Sequence, residues 1–181
     1  WGLTYGETHH HDPVSLRPEL KPYTIYIDGI SKAFCATGVR VGWAFGPSEV
    51  SGKMKSINGH IGAWAPRAEQ VATAQFLTDS AAVEAALVDN RKRLFERLNG
   101  FYAGITALKS EGFPVEAISP QAAIYLTLKI DLVGWKTADG TVLKTNREVH
   151  QYILDQAKLA IIPFYAFGAS EDSPWYRLSV G

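Results

Sequence analysis

The spacing of apolar residues changes along the chain, and each spacing predicts a type of secondary structure. Apolar residues that recur at three- and four-residue steps predict helices over 47–57, 66–77, 80–108 and 146–159. Short runs rich in β-branched and aromatic residues predict strands over 23–27, 39–45, 122–130, 160–162 and 175–180, and we expect the first of these to be buried. The order of these elements fits a mixed α/β chain in two lobes.

Two of the predicted helices have features that define them further. The helix that starts at Ser80, with Asp79 or Ser80 as its N-cap, continues to Gly112-Phe113-Pro114. Roughly 30 residues of helix span about 45 Å, so we expect it to leave one domain and enter another. In the helix over 146–159, the predicted buried face is formed by Val149, Ile153, Leu154 and Ala157.

Composition excludes several classes of protein. The chain has 181 residues, 46% of them hydrophobic, and its 18 basic and 18 acidic residues give a formal net charge of zero. This is an ordinary globular composition, and no nucleic-acid or membrane partner held by bulk charge is expected. The single cysteine, Cys35, cannot form an internal disulfide, so we expect a cytoplasmic location and a packed side chain. Because the chain opens at Trp1 without a methionine, we expect it to be an internal piece of a longer protein.

The residues with the clearest chemistry lie between the first two predicted strands. Ser31-Lys32-Ala33-Phe34 is followed by Thr37-Gly38-Val39-Arg40-Val41-Gly42-Trp43. Partial burial of Lys32 at the edge of a core would favour its neutral amine, which forms an imine with an aldehyde. Ser31 offers a hydroxyl, and Arg40 offers a fork of donors that matches a phosphate or a carboxylate. An amine, a hydroxyl and a guanidinium on one patch can hold an aldehyde that carries a phosphate.

This pattern resembles the cofactor-lysine signature of the class I/II aminotransferases, the aspartate aminotransferase family of fold type I enzymes. The resemblance implies that Lys32 forms a Schiff base with pyridoxal phosphate and that Ser31 and Arg40 bind the cofactor phosphate. It also implies that 1–80 is the remainder of the large cofactor-binding domain, and that 81–181 is an interdomain helix and a small C-terminal domain. The activity implied is transfer of an amino group between an amino acid and a 2-oxo acid, by a homodimer.

The resemblance extends to the second half of the chain. The segment 119–126 resembles a small-domain segment of the family, and 163–168 followed by Arg177-Leu178-Ser179 resembles the segment that ends at the substrate arginine. Arg177 is thereby expected to bind the α-carboxylate of the substrate. Phe164 stands where family members commonly have glycine, so substrate choice is left open. The family's aspartate and tyrosine partners of the cofactor ring fall upstream of Trp1.

Other interpretations remain open at this point. The same lysine signature serves β-lyases, synthases and decarboxylases, and an aminotransferase-like domain can act as the sensor of a transcription regulator. The chain could also be a non-catalytic fragment. No metal site is expected at His9-His10-His11, since adjacent histidines in a loop point in different directions. Arg67 falls where the family has a loop near the dimer interface, although a surface role is the simpler interpretation.

Overall fold

The computed structural model describes residues 2–181, which form a mixed α/β fold as predicted. Contacts divide the chain into two compact units, one ending at Lys92 and the other covering Arg93–Gly181. The division falls inside the long helix α5 (Ser80–Ser110). Within residues 2–181, no helix combines the length and the apolar character needed to cross a membrane.

The first unit is built mainly from helices around a two-stranded antiparallel sheet. Its helices are α1 (Pro13–Leu16), α2 (Ile30–Ala33), α3 (Ser48–Ile61), α4 (Arg67–Thr78) and the first part of α5. Its strands, β1 (Tyr26–Gly29) and β2 (Gly42–Phe45), pair with Tyr26 opposite Phe45 and Gly29 opposite Gly42. Its buried residues are Leu3, Tyr5, Ile30, Ala33, Val41 and Thr73.

The strand predicted over 23–27 is wrong in both position and burial. Residues Pro18–Tyr23 form a 3₁₀ segment that contains Pro22, and β1 begins only at Tyr26. Tyr23 is 85% exposed and Ile27 is 77% exposed. The second strand is also shorter than predicted, since 39–41 belongs to a loop. An apolar run predicts a buried strand but does not indicate which part of the protein covers it. A two-stranded sheet cannot cover its own faces.

A hydrogen bond ties β1 to the loop before it. The hydroxyl of Tyr26 donates to the carboxylate of Asp12, which also caps α1 by accepting from the backbone nitrogens of Val14 and Ser15 at 2.9 and 3.0 Å. These donors lower the pKa of Asp12 from 3.8 to about 2, and the Tyr26 hydroxyl contributes most. The same hydrogen bond raises the pKa of Tyr26.

The three longer helices of the sequence analysis are confirmed. Helices α3 and α4 begin directly after Pro47 and Pro66, and α5 begins at Ser80. The last ends where glycine and proline predicted, and Gly112 adopts a left-handed φ of 92° that glycine tolerates. Long periodic patterns are the most reliable signal in a single sequence, and these helices show it.

The second unit is an antiparallel sheet with one buried face. Its strands are β3 (Val115–Ala117), β4 (Tyr125–Ile130), β5 (Ile162–Pro163) and β6 (Trp175–Ser179), in the order β3-β4-β6-β5. Alternate residues of the two central strands, Leu126, Leu128, Tyr176 and Leu178, are buried. The nitrogen Nη1 of Arg97 in α5 donates to the backbone oxygen of Val180 at 3.1 Å, which fixes the end of β6.

The last helix of this unit differs from its prediction in its second half. Helix α6 (Asn146–Tyr152) is capped by Thr145 and continues as a π-helical turn over Ile153–Ala157. Val149 and Ile153 are buried as predicted, whereas Leu154 and Ala157 are exposed. The wider π turn rotates the residues that follow it, so the 3.6-residue period no longer gives their direction. The strand predicted over 160–162 is displaced to β5, and the strand over 122–130 begins only at Tyr125.

Candidate functional site

Lys32 lies in a single helical turn, which was expected to be a strand-to-loop break. Helix α2 follows β1 directly, and its buried residues Ile30 and Ala33 anchor it. After the turn, the backbone nitrogens of Cys35 and Ala36 donate to the oxygens of Lys32 and Ser31, at 3.4 and 3.1 Å. With Cys35 at a left-handed φ of 52°, this is a Schellman ending, which normally uses glycine. The turn that carries Lys32 is therefore hydrogen-bonded at its end.

A helix of the same unit holds this turn from outside. The side-chain amide of Asn90 in α5 donates to the backbone oxygen of Ala33 at 3.0 Å. The ring of Phe34, directly after the turn, packs edge-on against Phe76 of α4 with 5.1 Å between centroids. Both contacts join residues distant in sequence, so no local pattern could have predicted them.

Arg40 is brought towards the lysine turn by the loop that follows. Its backbone is left-handed, with φ 61°, and its Nη1 donates to the oxygen of Thr37 at 3.1 Å. The next residue, Val41, accepts a backbone hydrogen bond from Ile30 at 3.4 Å. A left-handed conformation is unusual for arginine. Such a conformation persists where the surrounding structure or the function of the site requires it.

The three predicted cofactor residues line one cavity. A cavity of about 380 Å³ is lined by Asp28, Gly29, Ser31, Lys32, Arg40, Val41 and Gly42. This volume lies in the range of small-molecule sites. Within residues 2–181, neither the Ser31 hydroxyl nor the Lys32 amine makes a hydrogen bond to another described group. An amine, a hydroxyl and part of a guanidinium are thus available on one surface.

Burial does not follow the prediction. Lys32 and Arg40 are both exposed among residues 2–181, so the partial burial expected for Lys32 is wrong for this chain. Cys35, expected to be packed, is also exposed.

The cavity contains one carboxylate that the sequence analysis did not select. Asp28 is the third residue of β1, and its Oδ1 accepts from the backbone nitrogen of Gly29 at 2.7 Å. Its position in the strand directly before the lysine turn could have identified it as a site residue from the sequence. Two cations and one carboxylate leave the cavity with a formal charge of plus one, which favours an anionic ligand.

Two paired glycines border the cavity. A Cβ atom on Gly29 would lie 3.0 Å from the backbone oxygen of Val41, and one on Gly42 would lie 3.0 Å from that of Asp28. Neither position accepts a side chain without movement of the backbone. The close approach of β1 and β2 therefore keeps this border free of side chains, next to Lys32 and Arg40.

Arg177 belongs to the second unit. It lies on β6 opposite Thr127 of β4. Its Cζ lies 4.5 Å from the ring centroid of Tyr125 and 4.4 Å from that of Phe167. Its Nε is buried and makes no hydrogen bond within residues 2–181. The sequence predicted a role for Arg177 but not for the two rings that contact it.

The remaining candidates lie on the surface of the first unit. His9, His10 and His11 are exposed, and no group of three His, Cys, Asp or Glu residues suited to a metal ion occurs in the described part of the chain. Arg67 is the first residue of α4 and is exposed, as is Trp64 before it.

Comparison with known proteins identifies the family. The family model of the aminotransferases of class I and II matches residues 2–181. The chain therefore belongs to the class I and II aminotransferase family, which confirms the resemblance drawn from the lysine signature.

Curated relatives place the chain among enzymes of this class. It is 27% identical, over 98% of its length, to a probable aspartate/prephenate aminotransferase of Rhizobium leguminosarum bv. phaseoli. It is 30% identical, over 94% of its length, to an aspartate aminotransferase of Geobacillus stearothermophilus. The chain spans 42% and 40% of these two proteins, so it corresponds to less than half of either.

Solved structures agree with this assignment. The aspartate aminotransferase from Rhizobium meliloti superposes with a TM-score of 0.83 at 26% identity, over 98% of this chain and 42% of that one. An aromatic aminotransferase from Pyrococcus horikoshii OT3 superposes with a TM-score of 0.78 at 25% identity, over 97% and 42%. The mixed α/β chain is thus part of an aminotransferase fold, as predicted.

Proposed function

We propose that this chain is part of a pyridoxal-phosphate-dependent aminotransferase in which Lys32 holds the cofactor as a Schiff base. The observation that carries the proposal is the shared cavity of Ser31, Lys32 and Arg40, in a chain that belongs to the aminotransferase family. The activity is transfer of an amino group between an amino acid and a 2-oxo acid.

The chemistry of the cavity fits this cofactor. Pyridoxal phosphate needs an amine for its aldehyde and donors for its phosphate. Lys32 supplies the amine, and Ser31 and Arg40 supply a hydroxyl and a guanidinium on the same cavity. The formal charge of plus one suits an anionic group, and Arg40 keeps donors beyond the one used on Thr37.

Each residue then has a defined task. When bound, pyridoxal phosphate supplies an electron sink for charge that develops at the substrate α-carbon. The Nζ amine of Lys32, once released by the incoming amino acid, would accept the proton from that carbon and deliver it to the aldehyde carbon of the cofactor. Ser31 and Arg40 hold the phosphate and so fix the cofactor relative to Lys32. Arg177 binds the substrate α-carboxylate and orients it.

Domain roles, assembly and location are part of the same proposal. Residues 1–80 are assigned to the large cofactor-binding domain, and 81–181 to an interdomain helix and the small domain. The contacts of the chain also divide into two units, although the division falls after Lys92, inside α5, rather than after residue 80. The proposal includes a homodimer, supported by the exposed surface at Trp64 and Arg67, and a cytoplasmic location, supported by the single unpaired cysteine of this chain.

Substitution of Lys32 tests the proposal. In the full-length protein that contains this chain, Lys32→Ala is expected to abolish amino-group transfer and the absorbance of the Schiff base. Lys53→Ala, at an exposed lysine of the same unit that pairs with Glu49, is the matched control and retains both. Transfer that persists in Lys32→Ala would contradict the proposal.

The names of the relatives suggest which donors to assay first. Aspartate and aromatic amino acids are the starting set, because the relatives include aspartate, aspartate/prephenate and aromatic aminotransferases. Product analysis also separates transamination from β-elimination or decarboxylation. A 2-oxo acid with the amino group recovered on an acceptor identifies transamination.

A further inference from the structure

The guanidinium of Arg177 packs on an aromatic pair, the rings of Tyr125 and Phe167. The Cζ of Arg177 lies 4.5 and 4.4 Å from their centroids. Arg177 faces Thr127 across the strands, so Tyr125 is its diagonal neighbour on the same sheet face. Phe167 comes from the 3₁₀ turn that follows β5. Two elements, β4 and the 3₁₀ turn, thus converge on one side chain of β6.

The donors of this arginine lack acceptors. Its Nε is buried without a hydrogen bond, and its other guanidinium nitrogens make no hydrogen bond or ion pair with any residue of 2–181. Buried donors are rarely left unpaired in folded proteins. Aromatic faces attract the charge but leave the in-plane N–H groups unused. The side chain is therefore held in place by two rings, while its N–H groups find no acceptor among residues 2–181.

We propose that Tyr125 and Phe167 are positioning residues that fix the plane of the Arg177 guanidinium for the substrate carboxylate. An arginine that is already ordered loses less side-chain entropy when a carboxylate binds. The inference rests on the proposed function, in which Arg177 binds that carboxylate. It adds that substrate affinity depends on two rings that act through the arginine.

The test removes each ring in turn from the full-length, cofactor-loaded protein. Phe167→Leu and Tyr125→Leu are compared with Tyr125→Phe, which keeps the ring. Phe113→Leu is the matched control, because Phe113 is 49% exposed against 55% for Phe167 and lies in the same unit. Two quantities are measured: the affinity and maximal rate of the half-reaction with the amino acid, and calorimetric binding of the corresponding 2-oxo acid.

Loss of a ring should weaken binding without slowing chemistry. Each leucine variant is expected to raise both dissociation constants about threefold to tenfold, because the ligand must then order the arginine side chain on binding. The maximal rate should stay within about twofold, because the contact is the same in ground and transition states. Tyr125→Phe and Phe113→Leu should match the wild type.

Three results would overturn the inference. The first is unchanged affinity in both leucine variants. The second is a fall in maximal rate with unchanged affinity. The third is lost affinity in Tyr125→Phe, which would assign the effect to the hydroxyl. If thermal unfolding shows that one leucine variant is not folded, the other ring provides the same test.

Failure of this inference differs from failure of the proposed function. Unchanged affinity in the ring variants, with an inactive Lys32→Ala, would refute only the role of the aromatic pair. Transfer that persists in Lys32→Ala would refute the proposed function, whatever the ring variants do.

Discussion

Arg40 is the position where backbone and side chain place opposite demands on the choice of residue. Its φ of 61° favours glycine, while the cavity beside Lys32 gains a cation only if a long basic side chain is present. A left-handed backbone costs about 1 kcal/mol or more for a residue with a Cβ. Arginine at this position is consistent with selection for binding rather than for stability.

Substitution of Arg40 separates the two demands. Arg40→Gly and Arg40→Ala both remove the guanidinium, so each should weaken pyridoxal phosphate binding by roughly 10- to 100-fold, the value of a charged hydrogen bond. Only glycine relieves the strained φ, so Arg40→Gly should unfold with a free energy about 1 kcal/mol higher than Arg40→Ala. Cofactor titration and denaturant unfolding of the apo protein measure these quantities. Equal stability of the two variants would contradict the strain argument.

The hydrogen bond from Tyr26 to Asp12 predicts a pH dependence. The pKa of Asp12 is lowered from 3.8 to about 2, so its contribution to stability is complete above pH 3.8 and is lost as the pH falls towards 2. The difference in unfolding free energy between wild type and Tyr26→Phe should therefore be largest near neutral pH and become smaller as the pH falls from 3.8 towards 2. Denaturant midpoints measured from pH 6 to pH 2 give this difference. A difference that does not change over this range would argue against the assigned cause.

Single residues could be predicted only where a motif carried them. Ser31, Lys32 and Arg40 were selected from their spacing, and the structure places all three on one cavity. Asp28 and the aromatic pair were not selected, because their contacts depend on strand register and on a distant turn. The burial of Lys32 was wrong, because exposure depends on which other layers cover the site.

At the scale of secondary-structure elements, the lysine turn depends on contacts from outside its own sequence. Helix α2 has four residues, too few to be stable by its own hydrogen bonds. Its ending motif and the hydrogen bond from Asn90 to Ala33 supply the restraint. The position of Lys32 is therefore set partly by the first turns of α5.

Asn90→Ala tests this dependence. Loss of the hydrogen bond to Ala33 should lower the free energy of unfolding by about 1 kcal/mol. Asn99→Ala, at an exposed position of the same helix, corrects for the higher helix propensity of alanine. Affinity for pyridoxal phosphate should fall in Asn90→Ala and not in Asn99→Ala. If the two variants have the same free energy of unfolding, Asn90 does not restrain the lysine turn.

Elements with long periodic patterns were predicted well, whereas most short ones were displaced or shortened; the strand over 175–180, found as β6, is the exception. Helix α5 was recovered almost residue for residue, because seven apolar positions keep its phase. The strand over 23–27 was displaced, because the 3₁₀ segment that contains Pro22 extends to Tyr23, the first residue of the apolar run. The π turn after α6 left no recognised signal in the sequence.

At the scale of the whole molecule, the two units differ in how they bury their sheets. The four-stranded sheet of the second unit has one continuous buried face, whereas β1 and β2 leave Ile27 and Phe45 exposed. Two-stranded sheets are marginal in water without a covering layer. The chain spans about two fifths of the length of its relatives. Local patterns predicted only a mixed α/β chain, and the family resemblance was needed to predict the particular fold.

Hydrogen exchange of the isolated 181-residue chain should reflect this difference. Amides in β4 and β6 are expected to exchange slowly, because their hydrogen bonds open only with the buried face. Amides in β1 and β2 should exchange faster, since little apolar burial protects them. Mass-spectrometric exchange over time measures both sets in one sample. Equal protection of the two sheets would contradict the burial described for this chain.

The most direct test of the central claim is chemical trapping at Lys32. The full-length protein is loaded with pyridoxal phosphate, reduced with borohydride, digested and analysed by mass spectrometry. A stable phosphopyridoxyl group is expected on the peptide that contains Lys32, and none is expected there in Lys32→Arg. A label found only on other lysines, or no label on a protein that catalyses transamination, would contradict the claim.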